Sequence, residues 1–180
     1  MKKYVFIICM SILGANISSA QDAGKLRTGL EIGCLFPHEG GFGFLDAIEF
    51  KYNLQNNMNI GLKTEVAGFY KSKSYAAEVL SFSATYDYYF HSKESRFSPF
   101  IGAGLGYYFC EGDTSEEYKY KRSKYNNPMC LIRAGFEIRK FRMSLTYNLI
   151  RKSNEINYWN RNNDYVSLNI GFYIGGGKWK

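Results

Sequence analysis

The stretch Ser98-Pro99-Phe100-Ile101-Gly102-Ala103-Gly104-Leu105-Gly106-Tyr107 decides how the chain is read. Ile101, Ala103, Leu105, Tyr107 and then Phe109 occupy every second position, with Gly102, Gly104 and Gly106 between them. A helix buries residues at spacings of three and four, so a period of two marks a strand. The glycines do not form a dinucleotide-binding loop. That fingerprint needs a helix after it, and here the strand continues through Tyr108 and Phe109. They predict places where bulky side chains of neighbouring strands need room.

Working outward, seven more runs share this period. Gly29–Phe36 sets Leu30, Ile32, Cys34 and Phe36 against Gly29, Glu31 and Gly33; Phe44–Leu54 sets Ile48, Phe50, Tyr52 and Leu54 against Ala47, Glu49, Lys51 and Asn53. Met58–Tyr70 and Glu78–Phe90 follow, opposing Ile60, Leu62 and Val66 to Lys63 and Glu65, and Leu80, Phe82 and Tyr86 to Ser81, Ser83 and Asp87. Met129–Arg139, Arg142–Ile150 and Tyr165–Ile174 complete the set. Eight such strands are an even, closable number.

The chain has 180 residues, room for one domain, and 46% hydrophobic with 22% charged residues excludes a disordered chain. Beyond the N-terminus no apolar run approaches the roughly 20 residues of a membrane helix. Lys2-Lys3, the apolar Tyr4–Gly14 and the small Ser18-Ser19-Ala20 have the three parts of a signal peptide. Cleavage after Ala20 divides the chain into a signal peptide, residues 1–20, and a barrel domain, residues 21–180. Losing Lys2 and Lys3 lowers the net charge from +7 to +5, scattered rather than striped, so no nucleic-acid partner is expected.

The alternation suits a soluble, lipocalin-like barrel with an apolar interior or a membrane barrel with an apolar wall. Three features favour the membrane. The polar face carries Gly, Ser and charges of both signs (Glu31, Glu49, Lys51, Lys63, Glu65, Asp87, Arg133, Glu137, Arg139), suiting a narrow interior where charges neutralise each other. Aromatics gather toward strand ends: Phe36, Phe44, Tyr70, Tyr107, Phe109 and Tyr165 at one rim, Tyr52, Tyr86, Tyr88, Phe90 and Phe172 at the other. Connections also alternate in length, with 55–57, 91–97 and 140–141 short and 37–43, 71–77, 111–128 and 151–164 longer. Short periplasmic turns and longer outer loops are the outer-membrane pattern. The fold class is therefore all-β, an eight-stranded antiparallel up-and-down transmembrane barrel.

Ser98–Tyr107 resembles the P-[FY]-x-G-x-G-x-G strand of small outer-membrane barrels, the OmpA/OmpX-like superfamily, and Val166–Lys180 resembles the closing, Gly-rich strands of its Bacteroidetes type. The resemblance implies residence in a Gram-negative outer membrane. One departure bears on insertion. The usual terminal Phe is replaced by Gly175-Gly176-Gly177-Lys178-Trp179-Lys180.

Residues that might carry chemistry are few. His38 falls in an outer loop and His91 in a periplasmic turn, too far apart to share a metal. His38 with Ser72 or Ser74 mimics the loop residues of lipid acyltransferases, but no motif fixes their geometry. Cys110 and Cys130 flank the third loop; a disulfide between them and two free thiols both remain open, while Cys34 is expected to face lipid. The third loop runs from acidic (Glu111, Asp113, Glu116, Glu117) to basic (Lys119, Lys121, Arg122, Lys124). Tyr118, Tyr120 and Arg122 there, and Tyr158, Trp159 and Arg161 in the fourth loop, are residue types of binding hot spots.

No catalytic, cofactor-binding or metal-ligating residue is expected. The barrel is expected to be a monomer in outer-membrane lipid, with a structural or surface-interaction role through its loops toward a host or surface ligand. A general porin is disfavoured because eight strands enclose only their own side chains. A soluble lipophile carrier and a lipid acyltransferase are the alternatives.

Overall fold

The computed structural model describes residues 23–38, 40–72, 75–90, 97–116, 119–150 and 164–176; for 71–72, 75–77, 112–116 and 119–125 it describes the backbone alone. Residues 1–20, expected to be a signal peptide, His91 and most of the fourth loop lie outside them. Eight strands follow one another: β1 (Leu26–Pro37), β2 (Phe42–Gln55), β3 (Met58–Ser72), β4 (Tyr75–Tyr89), β5 (Phe97–Glu116), β6 (Lys119–Ile138), β7 (Phe141–Ile150) and β8 (Tyr165–Gly175). Each pairs antiparallel with its neighbours, and β1 closes on β8. The paired row Pro99–Phe136–Met143–Ile170–Ile32–Asp46–Val66–Leu80–Phe109 circles the barrel once and returns to β5 ten residues higher. That stagger accompanies a strand tilt of about 40° and an interior just wide enough for side chains.

The two faces are opposite in character. Outward, Ile32, Phe44, Leu62, Val66, Leu105, Ile132 and Leu145 stand exposed, each at half or more of its surface. Inward, five carboxylates and five cations are buried. A water-facing barrel would not expose that wall while dehydrating its charges. The exterior is therefore the lipid-facing face of a transmembrane barrel, and the apolar interior of a soluble carrier is absent from its charged half. Aromatic girdles close the band: Phe36, Phe42 and Phe44 stack edge to face at 5.6 and 4.8 Å on the outer side, and Tyr88 meets Phe90 at 5.0 Å on the inner.

Four expectations need correction. Tyr165 is not in the outer girdle; it is 1% exposed and points inward, because it shares the parity of Ser167, Asn169 and Tyr173. Arg139 is not in the lumen. β6 ends at Ile138, and Arg139 is exposed in a tight turn with φ 58°, the left-handed conformation such two-residue hairpins require. Gly43, expected in the first loop, belongs to β2, where Phe69 and the Gly68 carbonyl leave no room for a Cβ. Most of the third loop is not a loop either. β5 continues to Glu116 and β6 begins at Lys119, with Glu111 opposite Lys124, Asp113 opposite Arg122 and Glu116 opposite Lys119. The acidic-then-basic order thus folds back on itself as a ribbon, since opposite charges favour directly opposed positions.

Candidate functional site: the lumen and its outer rim

The lower and middle lumen is one ion network. Arg133, on β6, donates from Nε to Asp87 Oδ1 at 2.7 Å and from Nη2 to Glu49 Oε1 at 2.7 Å. Lys51 on β2 donates to Asp87 Oδ2 at 2.5 Å and lies 3.4 Å from Glu49. Arg142 reaches Glu137 at 3.0 Å and Asp87 at 3.2 Å, its guanidinium 3.6 Å above the Phe100 ring. Arg27 closes the end with the short turns on Glu137 at 2.6 Å, and Lys63 bridges Glu65 at 2.8 Å and Glu31 at 3.4 Å.

Hydroxyls complete the carboxylate shells. Thr85 and Tyr89 donate to Glu49 and Glu137, Tyr165 donates to Glu65, and the Tyr173 hydroxyl sits 2.6 Å from Glu31 and 2.5 Å from Glu49. A charge taken out of water is tolerated only when so paired. Glu31, Glu49, Glu65, Asp87 and Glu137 against Arg27, Lys51, Lys63, Arg133 and Arg142 sum to no net charge.

Glycines make this density possible. A Cβ on Gly102 would overlap the Asp87 carboxylate, and one on Gly29 would overlap the Tyr173 ring paired across from it. The Gly102, Gly104 and Gly106 series therefore does what its spacing predicts, keeping the β5 wall thin.

Above the network the lumen changes. Leu35, Leu45, Ala67, Phe69, Val79, Tyr108, Cys110, Met129, Leu131, Ile150 and Tyr165 form one buried apolar cluster. Sequence reasoning missed this layer, together with Arg27, Arg142, Tyr89 and Tyr173 as lumen groups. Its signal was present: Leu35-Phe36, Phe44-Leu45, Phe69-Tyr70, Val79-Leu80 and Leu149-Ile150 are apolar on both faces at the outer ends of their strands.

At the rim, Asp164 ties the ends of the fourth loop together. The Ile150 amide donates to its Oδ1 at 2.8 Å, the Tyr147 hydroxyl to its Oδ2 at 3.3 Å, and the His38 amide to its carbonyl at 2.9 Å. His38 is exposed, and Ser74 lies outside the described residues. Of the six loop residues singled out, Tyr120 and Arg122 are on β6 opposite Ser115 and Asp113, while Tyr118, Tyr158, Trp159 and Arg161 lie outside the described residues. Cys34, Cys110 and Cys130 form no disulfide; Cys110 faces the lumen and Cys130 the opposite way. Among the described residues no cluster of three His, Cys, Asp or Glu is arranged to hold a metal.

Each of the five buried lumen carboxylates is held by a cation or a hydroxyl and is almost wholly removed from solvent.

No protein-family model matches the chain, and no curated protein matches its sequence. Solved structures do match. Neisserial surface protein A superposes with a TM-score of 0.64 at 18% identity, covering 84% of this chain and 97% of its own. The outer membrane enzyme PagL gives 0.57 at 15% identity, covering 82% and 98%. The N-terminal β-barrel domain of Pseudomonas aeruginosa OprF gives 0.53 at 15%, covering 86% and 100%. At these identities the likeness is one of fold.

Proposed function

We propose that this chain is an outer-membrane barrel that acts as a structural or surface-interaction element through its outer loops and conducts nothing through its lumen. One observation carries the reading: a neutral network in which each buried ion has a counter-ion below, and a buried apolar cluster above, fill the same narrow interior. The lipid-facing wall and the fold shared with outer-membrane barrels support the location. Residues 1–20 supply export, and the Gly-rich closing strand supports the Bacteroidetes type of the OmpA/OmpX-like superfamily. Tyr118, Tyr120, Arg122, Tyr158, Trp159 and Arg161 are the contacts offered to a host or surface ligand, by a monomer that takes no cofactor and performs no catalysis.

Fractionation with boiled and unboiled gel samples tests the location. Outer-membrane material that shifts mobility only on boiling is expected, and soluble periplasmic material without a shift would overturn it. Planar-bilayer recording should show no steady conductance. Trimming loops three and four should reduce adhesion or envelope robustness without altering membrane lipids.

The likeness to PagL, an outer membrane enzyme, favours one second reading, a lipid acyltransferase using His38 at the outer rim. A changed lipid profile in a His38→Ala strain would select it over the structural role.

A further inference from the structure

Among the described residues, one charged side chain breaks the middle of the lipid-facing wall. Asp46 takes an outward position on β2, between Phe44 and Ile48, and pairs across the ladder with Ile32 and Val66. It is exposed, and its carboxylate bonds no described residue. Asp46 lies six residues above Tyr52 and four below Phe42. Those steps amount to about 15 Å and about 10 Å of height at a rise of about 3.3 Å per residue and a tilt of about 40°. It is therefore well inside the apolar band, on the outer-leaflet side. The other outward acids, Glu78 and Glu111, lie one outward position beyond Leu80 and Phe109, at the rim.

Hydrocarbon offers a carboxylate nothing, so an ionisable group at this depth marks a site where a donor arrives from outside. A second observation adjoins it. On the same wall an open groove of about 390 Å³ runs beside Phe50, Leu62 and Phe82, with the short Thr64 and Ala84 between them. Thr64 is paired with Ile48, one outward step below the Asp46–Val66 pair. A polar anchor thus stands above an open groove walled by Phe50, Leu62 and Phe82.

The geometry points to a lipid-binding site on the β2–β4 wall. Its occupant is an outer-leaflet lipid whose junction between head and chain carries amide or hydroxyl donors. The donor bonds Asp46, and the chain runs down the groove past Thr64 and Ala84. A second copy of the barrel is a poorer occupant: among the described residues the outward band holds no cation to meet Asp46, and two-fold pairing would bring like charges together. The inference rests on the membrane reading above, and a heat shift on gels reports that reading separately.

The test uses the full-length protein, extracted from outer membranes and reconstituted in phosphatidylcholine vesicles, with two photoactivatable probes. Chain-diazirine ceramide carries an amide N–H and hydroxyls at its junction; chain-diazirine phosphatidylcholine carries no donor. Ceramide should label the peptides containing Phe50, Leu62 and Phe82 about tenfold more than phosphatidylcholine, as one charge-assisted hydrogen bond allows. Asp46→Leu should reduce ceramide labelling to the phosphatidylcholine level while the heat shift persists. Ala84→Phe, filling the groove, should lower both. Equal labelling by the two probes, or ceramide labelling indifferent to Asp46→Leu, overturns the site. Cross-links joining two barrels through this wall overturn it in favour of a second copy. Loss of the heat shift in the unaltered protein overturns the membrane reading itself.

Discussion

On β6 the adjacent inward positions are Arg133 and Leu131; on β3 they are Glu65 and Ala67, and on β2 Glu49 and Ala47. A single inward step thus separates a layer of buried ions from a layer of buried hydrocarbon. The two layers solve the same problem, an interior that water must leave, by different physics. Each ion in the lower layer needs partners from other strands: Arg133 on β6 draws on Glu49 from β2 and Asp87 from β4. The upper layer needs only matching volume. The difference teaches that the lower half is specified by pairing and the upper half by shape, so the two should fail differently.

The sharpest break is Arg133→Met. It leaves Glu49 and Asp87 short of their main cation in a site nearly closed to water. Removing one partner of a buried pair costs about 3–5 kcal/mol, to be read as a lowered urea midpoint for loss of the heat-shifted band. Replacing Glu49 and Arg133 together by apolar residues should recover part of that, because Asp87 keeps Lys51 and Arg142. A double variant no better than the single one would show that volume, not charge, governs the lower layer.

One inward step higher, Leu131→Ala should cost about 3 kcal/mol by leaving a cavity. Because no partner is stranded, a small hydrophobe restored elsewhere in the cluster can compensate for it. If Leu131→Ala destabilised the barrel more than Arg133→Met does, the proposed division between the layers would be wrong.

The same contrast explains what could be read from the sequence. Strand number, closure and the wall facing lipid were legible because, around the middle of each strand, one face is polar and the other apolar. Glu49 and Lys51 against Phe50 and Tyr52 leave no doubt about orientation. At the outer ends both faces are apolar and the alternation stops carrying information. Tyr165 was placed in the girdle for that reason, and the Leu35–Leu131 cluster went unseen. Arg27 and Arg142 were missed because each is the second residue of its strand, where a cation resembles a turn residue. The partners inside the lumen were illegible for another reason: contacts such as Arg27 with Glu137 join residues 110 apart and depend on the shear of the closed barrel.

Gly29→Ala probes the density of the lower layer without touching its charges. The added methyl meets the Tyr173 ring, whose hydroxyl sits between Glu31 and Glu49. Overpacking of this kind costs about 1–3 kcal/mol, again seen in the urea midpoint. Tyr173→Phe keeps the ring and so should relieve none of the clash while removing the hydroxyl shared between Glu31 and Glu49, so the two substitutions together should be worse than either.

The smallest effect is expected where charges oppose each other outside the barrel proper. In the β5–β6 ribbon Asp113 stands opposite Arg122 in the backbone register. A double-mutant cycle with Asp113→Asn and Arg122→Gln should give a coupling of about 0.2–1 kcal/mol, shrinking as salt is added. Coupling inside the lumen should resist salt. If the ribbon's coupling equalled that of Glu49 and Arg133, burial would not be what strengthens the lower layer. If it were absent, the acid-to-base order from Glu111 to Lys124 would be free to serve a partner instead of its own register. Arg122 would then regain the binding role that its position opposite Asp113 now tempers.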